Sequence, residues 1–264
     1  MNKLFFLISL ISFQNIYAQK LPSVQQKSLR APANVKIDGK TNEWGKLQAY
    51  NPATELFYTI ANDDKTLYLT IQATDWNTLT NIANGGIKLA IQKTGTRDDT
   101  KAPFIKFPYL EKGKKISVAP KDVERGAPDS VMIKNNKQLT TNIKWIYTKG
   151  LEGLDTLISI YNTSGITTAN AFDIEKNYNL EIAINLSLFG LSVDNPSKFS
   201  YHIMVNAEPN RYTHDSNIAY IRRVFSINNW SGVGQQSAGL ENFENYANKT
   251  TATTDFWGEY TLAK

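Results

Sequence analysis

The amino-acid sequence predicts an all-β protein, a two-sheet antiparallel β-sandwich of the jelly-roll type, and three observations lead to this fold class. Short runs with period-2 alternation, rich in Tyr, Thr, Ile and Phe, recur along the chain, which is typical of strands. Clusters of Asn, Asp and Gly separate these runs, as turns do. No long segment shows a sustained helical period. Together these features favour two packed antiparallel sheets over an α/β fold.

The alternating runs also give the expected elements in chain order. A hairpin turn is expected at residues 62–65, a polar stretch between two of the runs. The best short helical turn is Leu186–Phe189, because Gly190 follows it as a C-terminal cap would. The predicted strands are residues 35–37, 56–61, 67–73, 87–92, 104–109, 131–134, 143–148, 156–161, 178–184, 199–206, 218–225 and 257–262.

The first 18 residues have the pattern of a secretory signal peptide. Lys3 gives a positive start, residues 4–13 an apolar segment, and residues 16–18 a small-residue cleavage site. We therefore expect a mature chain that begins at Gln19 and is periplasmic or secreted. No cysteine follows the apolar segment, so a lipoprotein anchor is not expected.

Composition narrows the class of protein further. Hydrophobic residues make up 41% of the 264 residues, which is enough for a sizeable core and excludes a disordered chain. No apolar run after the N-terminus is long enough to span a membrane. The lack of cysteine excludes disulfides, thiolate metal sites and a Cys nucleophile. We expect a flexible leader at residues 19–34 and one sandwich domain at residues 35–264.

One segment carries the excess of positive over negative charge. Residues 93–149 contain 13 Lys and Arg against 6 Asp and Glu, while the whole chain has a net charge of +5. We expect a basic insertion there, either a solvated surface or a contact for an anionic partner. In an exported protein nucleic acid is not the expected partner, which leaves an anionic membrane or, if the protein binds glycans, an acidic polysaccharide.

Several motifs follow one another along most of the mature chain. Residues 37–44 read I-D-G-K-T-N-E-W, residues 62–69 read N-D-D-K-T-L-Y-L, and residues 178–184 read Y-N-L-E-I-A-I. The ending at residues 256–262 reads F-W-G-E-Y-T-L. In this order the motifs resemble the family 9 carbohydrate-binding modules and the related DOMON-like sandwiches. The resemblance implies a sandwich that holds a polysaccharide or oligosaccharide in an aromatic-lined cleft.

The resemblance also suggests which residues line that cleft. Trp76 and Trp230 are near the positions at which the family stacks aromatic rings on the sugar, and both have polar neighbours. Pyranose rings present an apolar C–H face with hydroxyl groups at the rim, so exposed aromatic planes with polar neighbours suit them. The expected polar contacts are Arg222, Glu208 and Asn206.

Three further expectations concern the same motifs. The resemblance implies structural calcium, although Gly, Lys and Gln replace the family's acidic residues over residues 85–93. Trp44 is expected to pack in the core. Glu181 is expected to lie on the opposite face of its strand from its apolar neighbours.

No catalytic constellation is evident, so we expect a protein that is not an enzyme. The adjacent acidic pairs at residues 63–64 and 98–99 would point to opposite faces of a strand. No G-x-S-x-G motif accompanies His202 or His214.

Two non-catalytic alternatives stay open. The first is an exported structural or adaptor domain, which would show a contiguous apolar patch or an open strand edge. The lesser alternative is a haem-binding sandwich, for which the available ligands are Met132, Met204, His202 and His214.

Overall fold

The computed structural model describes residues 20–93, 95–118, 128–207 and 252–264. Within these ranges the chain forms two antiparallel β-sheets that pack face to face, which confirms the predicted fold class. The elements are β1 Ala49–Asn51, β2 Leu56–Asn62, β3 Thr66–Ala73, α1 Trp76–Gly85, β4 Ile87–Gln92, β5 Phe104–Tyr109, α2 Pro128–Asn142, β6 Trp145–Lys149, β7 Leu157–Ser159, β8 Ile166–Phe172, β9 Tyr178–Asn185, β10 Phe199–Val205 and β11 Thr254–Tyr260.

The order of the strands fixes which residues become neighbours. The five-stranded sheet has the order β1-β2-β3-β9-β8, and the six-stranded sheet has the order β11-β10-β4-β5-β6-β7. Alternate side chains of each strand enter the core between the sheets. On β10, for example, Phe199, Tyr201 and Ile203 are buried in that core. The intervening side chains of the six-stranded sheet therefore lie on its outer face.

Most of the predicted strands are confirmed, and two are wrong. Strands β4 and β5 have the expected bounds, and the hairpin at residues 62–65 joins β2 to β3. Residues 35–37 form no strand, and residues 131–134 lie inside α2. The predicted strand at residues 218–225 lies outside the described residues.

Helix α2 escaped prediction because a polar residue interrupts its buried stripe. Val131, Asn135 and Leu139 are each at most 1% exposed and recur every fourth residue, which is a helical spacing. Pro128 and Asp129 begin the helix, where proline and an acidic residue are both favourable. The β-branched pair Val131 and Ile133 favours a strand only when this longer spacing is ignored.

Helix α1 was missed for a different reason. Its sequence is rich in Asn and Thr, which have low intrinsic helix propensity. A side-chain cap compensates, because Asp75 accepts hydrogen bonds from the backbone N–H groups of Asn77 and Thr78. Burial of Leu79 and Ile82 then holds the helix against the core.

Part of the segment expected to be a flexible leader is bound to the sandwich. Gln25 is buried, donates to the carbonyl of Ile60 over 2.8 Å and accepts from its N–H over 2.8 Å. The N–H of Gln25 also donates to the Tyr58 hydroxyl over 3.0 Å. Further along, Ser28 Oγ donates to the carbonyl of Thr261. The segment therefore reaches from the five-stranded sheet to the end of β11.

The basic segment, residues 93–149, is integral to the fold. It supplies β5 and β6, which are inner strands of the six-stranded sheet, and also α2. Two of its lysines, Lys106 and Lys149, lie on strands of the sheet.

The first and third sequence motifs meet at one buried carboxylate. Glu181 on β9 accepts hydrogen bonds from the N–H groups of Asp38 (3.0 Å) and Gly39 (2.9 Å) and from Trp44 Nε1 (2.8 Å). Burial raises the pKa of Glu181, and these three donors oppose the rise. Trp44 is 7% exposed, so its expected core role is confirmed. A Cβ at Gly39 would come within 2.8 Å of the Asn170 backbone, which accounts for the glycine.

Neither helix in the described ranges has the length and apolar character needed to cross a bilayer.

Candidate functional site

A buried histidine is the centre of a charged cluster on the outer face of the six-stranded sheet. His202 on β10 is 4% exposed. Its Nδ1 lies 2.8 Å from Asp99 Oδ2, and its Nε2 lies 2.7 Å from Asp255 Oδ2. Lys88 Nζ reaches the same oxygen of Asp99 over 2.6 Å.

The pKa of Asp99 reflects these partners. Partial burial raises the pKa of the carboxyl, but hydrogen bonds from Lys88 and His202 outweigh that effect and lower the pKa below its usual value. Asp99 is therefore held as a carboxylate by the Lys88 ammonium group and the His202 ring. The cluster fixes the position of the His202 ring.

The fixed imidazole supports an indole ring. Trp257 on β11 is directly opposite His202 in the strand register. The two rings stack with centroids 4.4 Å apart and planes inclined by 4°. Since β11 is the edge strand, His202 covers the indole face that points toward β10. The other face of Trp257 points away from β10.

A groove runs beside β11, between this strand and residues 24–28. It has a volume of about 420 Å³, and Trp257 is part of its lining. We name it the edge groove. Its charged lining residues are Lys27, Arg97, Lys198 and Glu259. Lys198 Nζ pairs with Glu259 Oε2 over 2.6 Å and is the main cause of the lowered pKa of Glu259. The remaining lysine and arginine leave the groove positively charged.

A row of aromatic rings occupies the other half of the same face. The Tyr147 ring lies between Phe104 and Tyr109, at centroid distances of 5.8 and 5.6 Å and interplanar angles of 26° and 24°. All three side chains are partly exposed. Lys88 Nζ lies 4.6 Å from the Phe104 ring centroid, and Lys106 Nζ lies 5.4 Å from that of Tyr109. We name these three rings the aromatic row.

The residues predicted from the sequence lie elsewhere. Trp76 is the first residue of α1 and packs against the core, and its Nε1 is buried without a hydrogen-bond partner. Asn206 donates from its N–H (3.0 Å) and its Nδ2 (2.9 Å) to the carbonyl of Gly86, which follows the other end of α1. Trp76 and Asn206 are thus separated by the length of the helix. The other three expected residues, Trp230, Arg222 and Glu208, lie outside the described residues.

The haem hypothesis finds little support among its described ligands. Both nitrogens of His202 are engaged by carboxylates, so neither is free to bind iron. Met132 packs against the core from α2. His214 lies outside the described ranges.

The described acidic residues do not cluster into a metal site. Across residues 20–93, 95–118, 128–207 and 252–264, no group of three or more His, Asp or Glu side chains is arranged to hold a metal ion. Asp63, in the hairpin, uses Oδ1 to accept from the N–H groups of Lys65 and Thr66. The described acidic side chains therefore do not form a site that fits the calcium that the resemblance implies.

The site built from His202 and Trp257 was not predicted. His202 lay in an expected strand, on the face opposite its apolar neighbours, and Trp257 lay in the final motif. A polar ring at an outward strand position was the available signal. Its partners Asp99 and Asp255 are far away in sequence, so their contact could not be inferred.

Comparisons with known proteins do not assign the chain to a family. No family model matches the chain, and no curated protein and no solved structure gives a significant match. Fold and site together define an antiparallel β-sandwich with a supported indole ring beside a cationic edge groove. The resemblance to family 9 modules stays a prediction.

Proposed function

We propose that the protein is an exported, non-catalytic carbohydrate-binding protein that holds a glycan in the edge groove against Trp257. The observation that supports this best is the stacking of Trp257 on His202, whose ring is held by two carboxylates. An indole fixed before binding loses little conformational entropy when a ligand arrives. Its uncovered face is a flat apolar surface of the kind on which the C–H face of a sugar stacks.

The rest of the groove suits the rim of a sugar. Gln26, Lys27 and Arg97 line it near Trp257, and their side chains supply several hydrogen-bond donors for hydroxyl groups. The volume of about 420 Å³ falls within the usual range of small-ligand sites, about 300–1,000 Å³. The groove therefore combines one apolar plane with several polar groups.

The adaptor hypothesis is less well supported by the described surface. The large exposed apolar side chains of the described residues belong to different elements. They are Ile133 on α2, Leu157 on β7, Tyr161 after β7, and Ile174 between β8 and β9. A glycan in the edge groove also accounts for the indole ring that is stacked on His202.

Replacing Trp257 tests the proposal directly. Mature protein, residues 19–264, is screened on a glycan array, and the best oligosaccharide is then titrated by calorimetry. We expect Trp257→Ala to weaken binding at least tenfold, since stacking on a ring contributes about 1–3 kcal/mol in comparable base–aromatic contacts. Trp257→Phe should retain part of the affinity.

The matched control is Tyr161→Ala, which removes an aromatic side chain that is 78% exposed and lies beyond β7. It should bind like the parent, and thermal unfolding checks that every variant is folded. Unchanged affinity in folded Trp257→Ala would disprove the edge-groove site. Loss of binding in Trp76→Ala instead would favour the cleft expected from the resemblance.

A further inference from the structure

Two lysines face each other on neighbouring strands of the six-stranded sheet. Lys88 on β4 is the direct register partner of Lys106 on β5. Like charges in this position repel each other. Asp99 compensates Lys88, with its Oδ2 2.6 Å from Nζ. In the part of the chain that the structure describes, Lys106 has no carboxylate within 4.0 Å.

The surroundings of Lys106 make its positive charge more costly. Tyr147 is its register partner on β6, and the Tyr109 ring lies 5.4 Å from its Nζ. The side chain is only partly exposed, and burial lowers the pKa of Lys106. A partly desolvated ammonium group without a carboxylate gains from any anion that reaches it.

Resting on the proposed function, we propose that Lys106, Tyr109 and Tyr147 form an anion subsite for the carboxylate or sulfate group of an acidic glycan. The ammonium group pairs with the anion, and the rings of the aromatic row contact the sugar that carries it. Tyrosine hydroxyl groups supply further donors. This subsite gives the protein a preference for acidic over neutral polysaccharides.

The subsite and the edge groove lie on one face. Strand β5 is three strand spacings from β11, which is about 14 Å. The connection between β4 and β5 links the two places, because Arg97 lines the edge groove and Asp99, two residues later, binds Lys88 next to Lys106. An oligosaccharide can therefore contact both sites with different sugar residues.

Calorimetry with oligosaccharide probes of different charge tests the subsite. The probes are hexagalacturonate, its fully methyl-esterified form and a heparin hexasaccharide, each at two salt concentrations. We expect Lys106→Gln to weaken binding of an anionic probe about tenfold, the value of a charge-assisted hydrogen bond. Binding of the methyl-esterified probe should stay within about twofold of the parent.

Lys65→Gln is the matched control, because Lys65 is an exposed lysine in the β2–β3 hairpin of the other sheet. It removes the same charge and should leave all three affinities unchanged. A selective loss of hexagalacturonate binding identifies a carboxylate subsite, and a selective loss of heparin binding identifies a sulfate subsite. Equal effects of Lys106→Gln on the charged and esterified probes, or no effect on either charged probe, would overturn the subsite.

The two proposals fail in different ways. If Trp257→Ala abolishes binding of the esterified probe while Lys106→Gln does not distinguish charged from esterified probes, the groove stands and the subsite is wrong. If Trp257→Ala changes no affinity, the groove is wrong whatever Lys106→Gln does.

Discussion

Glu181 on the five-stranded sheet and His202 on the six-stranded sheet are both buried, and the two side chains are held in different ways. On the five-stranded sheet, three N–H donors surround the carboxylate of Glu181. On the six-stranded sheet, two carboxylates hold the ring of His202, which in turn supports the partly exposed Trp257. The Glu181 cluster ties a turn and a tryptophan into the scaffold. The His202 cluster positions a ring beside a groove, so two side chains with similar burial fix different kinds of feature, a turn in one sheet and a partly exposed indole in the other.

The largest expected effect is the loss of the Glu181 carboxylate. Glu181→Ala leaves three donors unpaired, two of them in the turn at Asp38 and Gly39, and each unpaired buried group costs about 1–3 kcal/mol. The free energy of unfolding should fall by about 3 kcal/mol or more, measured by urea denaturation. Glu181→Gln keeps an acceptor and should lose less. A decrease of less than about 1 kcal/mol in the free energy of unfolding would show that the turn finds other hydrogen-bond partners. The contrast between the Glu181 and His202 clusters would then be wrong.

Removing the imidazole should lower stability less and affinity more. His202→Ala takes away a partner of Asp99 and the support of Trp257, so we expect a loss of about 2 kcal/mol in unfolding free energy. Glycan affinity should fall as well, since the indole is no longer fixed. In a Trp257→Ala background the same change should have no further effect on affinity. An additive loss in the double variant would separate His202 from the binding site.

The two clusters should respond to acid in opposite directions. The pKa of Asp99 is lowered in the folded protein, so its contribution to stability is present above about pH 4 and is lost as the pH falls further. The pKa of Glu181 is raised by burial, so its ionisation costs stability as the pH rises above the value in the unfolded chain. Melting temperature against pH should therefore have a shallower acid limb in Asp99→Asn. A steeper or unchanged limb would contradict this assignment.

The smallest expected effect concerns the exposed ion pair in the edge groove. Lys198→Gln breaks the pair with Glu259, and exposed pairs add little to stability, so the melting temperature should not change measurably. Binding of an anionic glycan should weaken modestly and more at low salt than at high salt. If affinity falls equally at both salt concentrations, Lys198 contacts the glycan through an interaction that is not electrostatic.

The fold was predictable from the sequence because its signals are local. Period-2 alternation gave β4 and β5 with their observed bounds, and the acidic hairpin gave the β2–β3 turn. Helix α1 depends on the cap at Asp75 and on burial against the core, so low propensity concealed it. The candidate site was not predictable, because His202 meets Asp99 across 103 positions and Asp255 across 53. Contacts between residues so far apart in sequence do not produce a periodic pattern, so they cannot be read from the sequence of one chain.

The walls of the edge groove come from opposite parts of the chain. One wall is residues 24–28 and the other is β11, and the bonds that close it join Ser28 to Thr261 and Leu29 to Tyr260, with sequence separations of 233 and 231. Loop closure over such separations is slow and comes after local pairing. The cavity consequently exists only when these two distant segments lie side by side, so its shape depends on contacts that no single local unit of the chain contains.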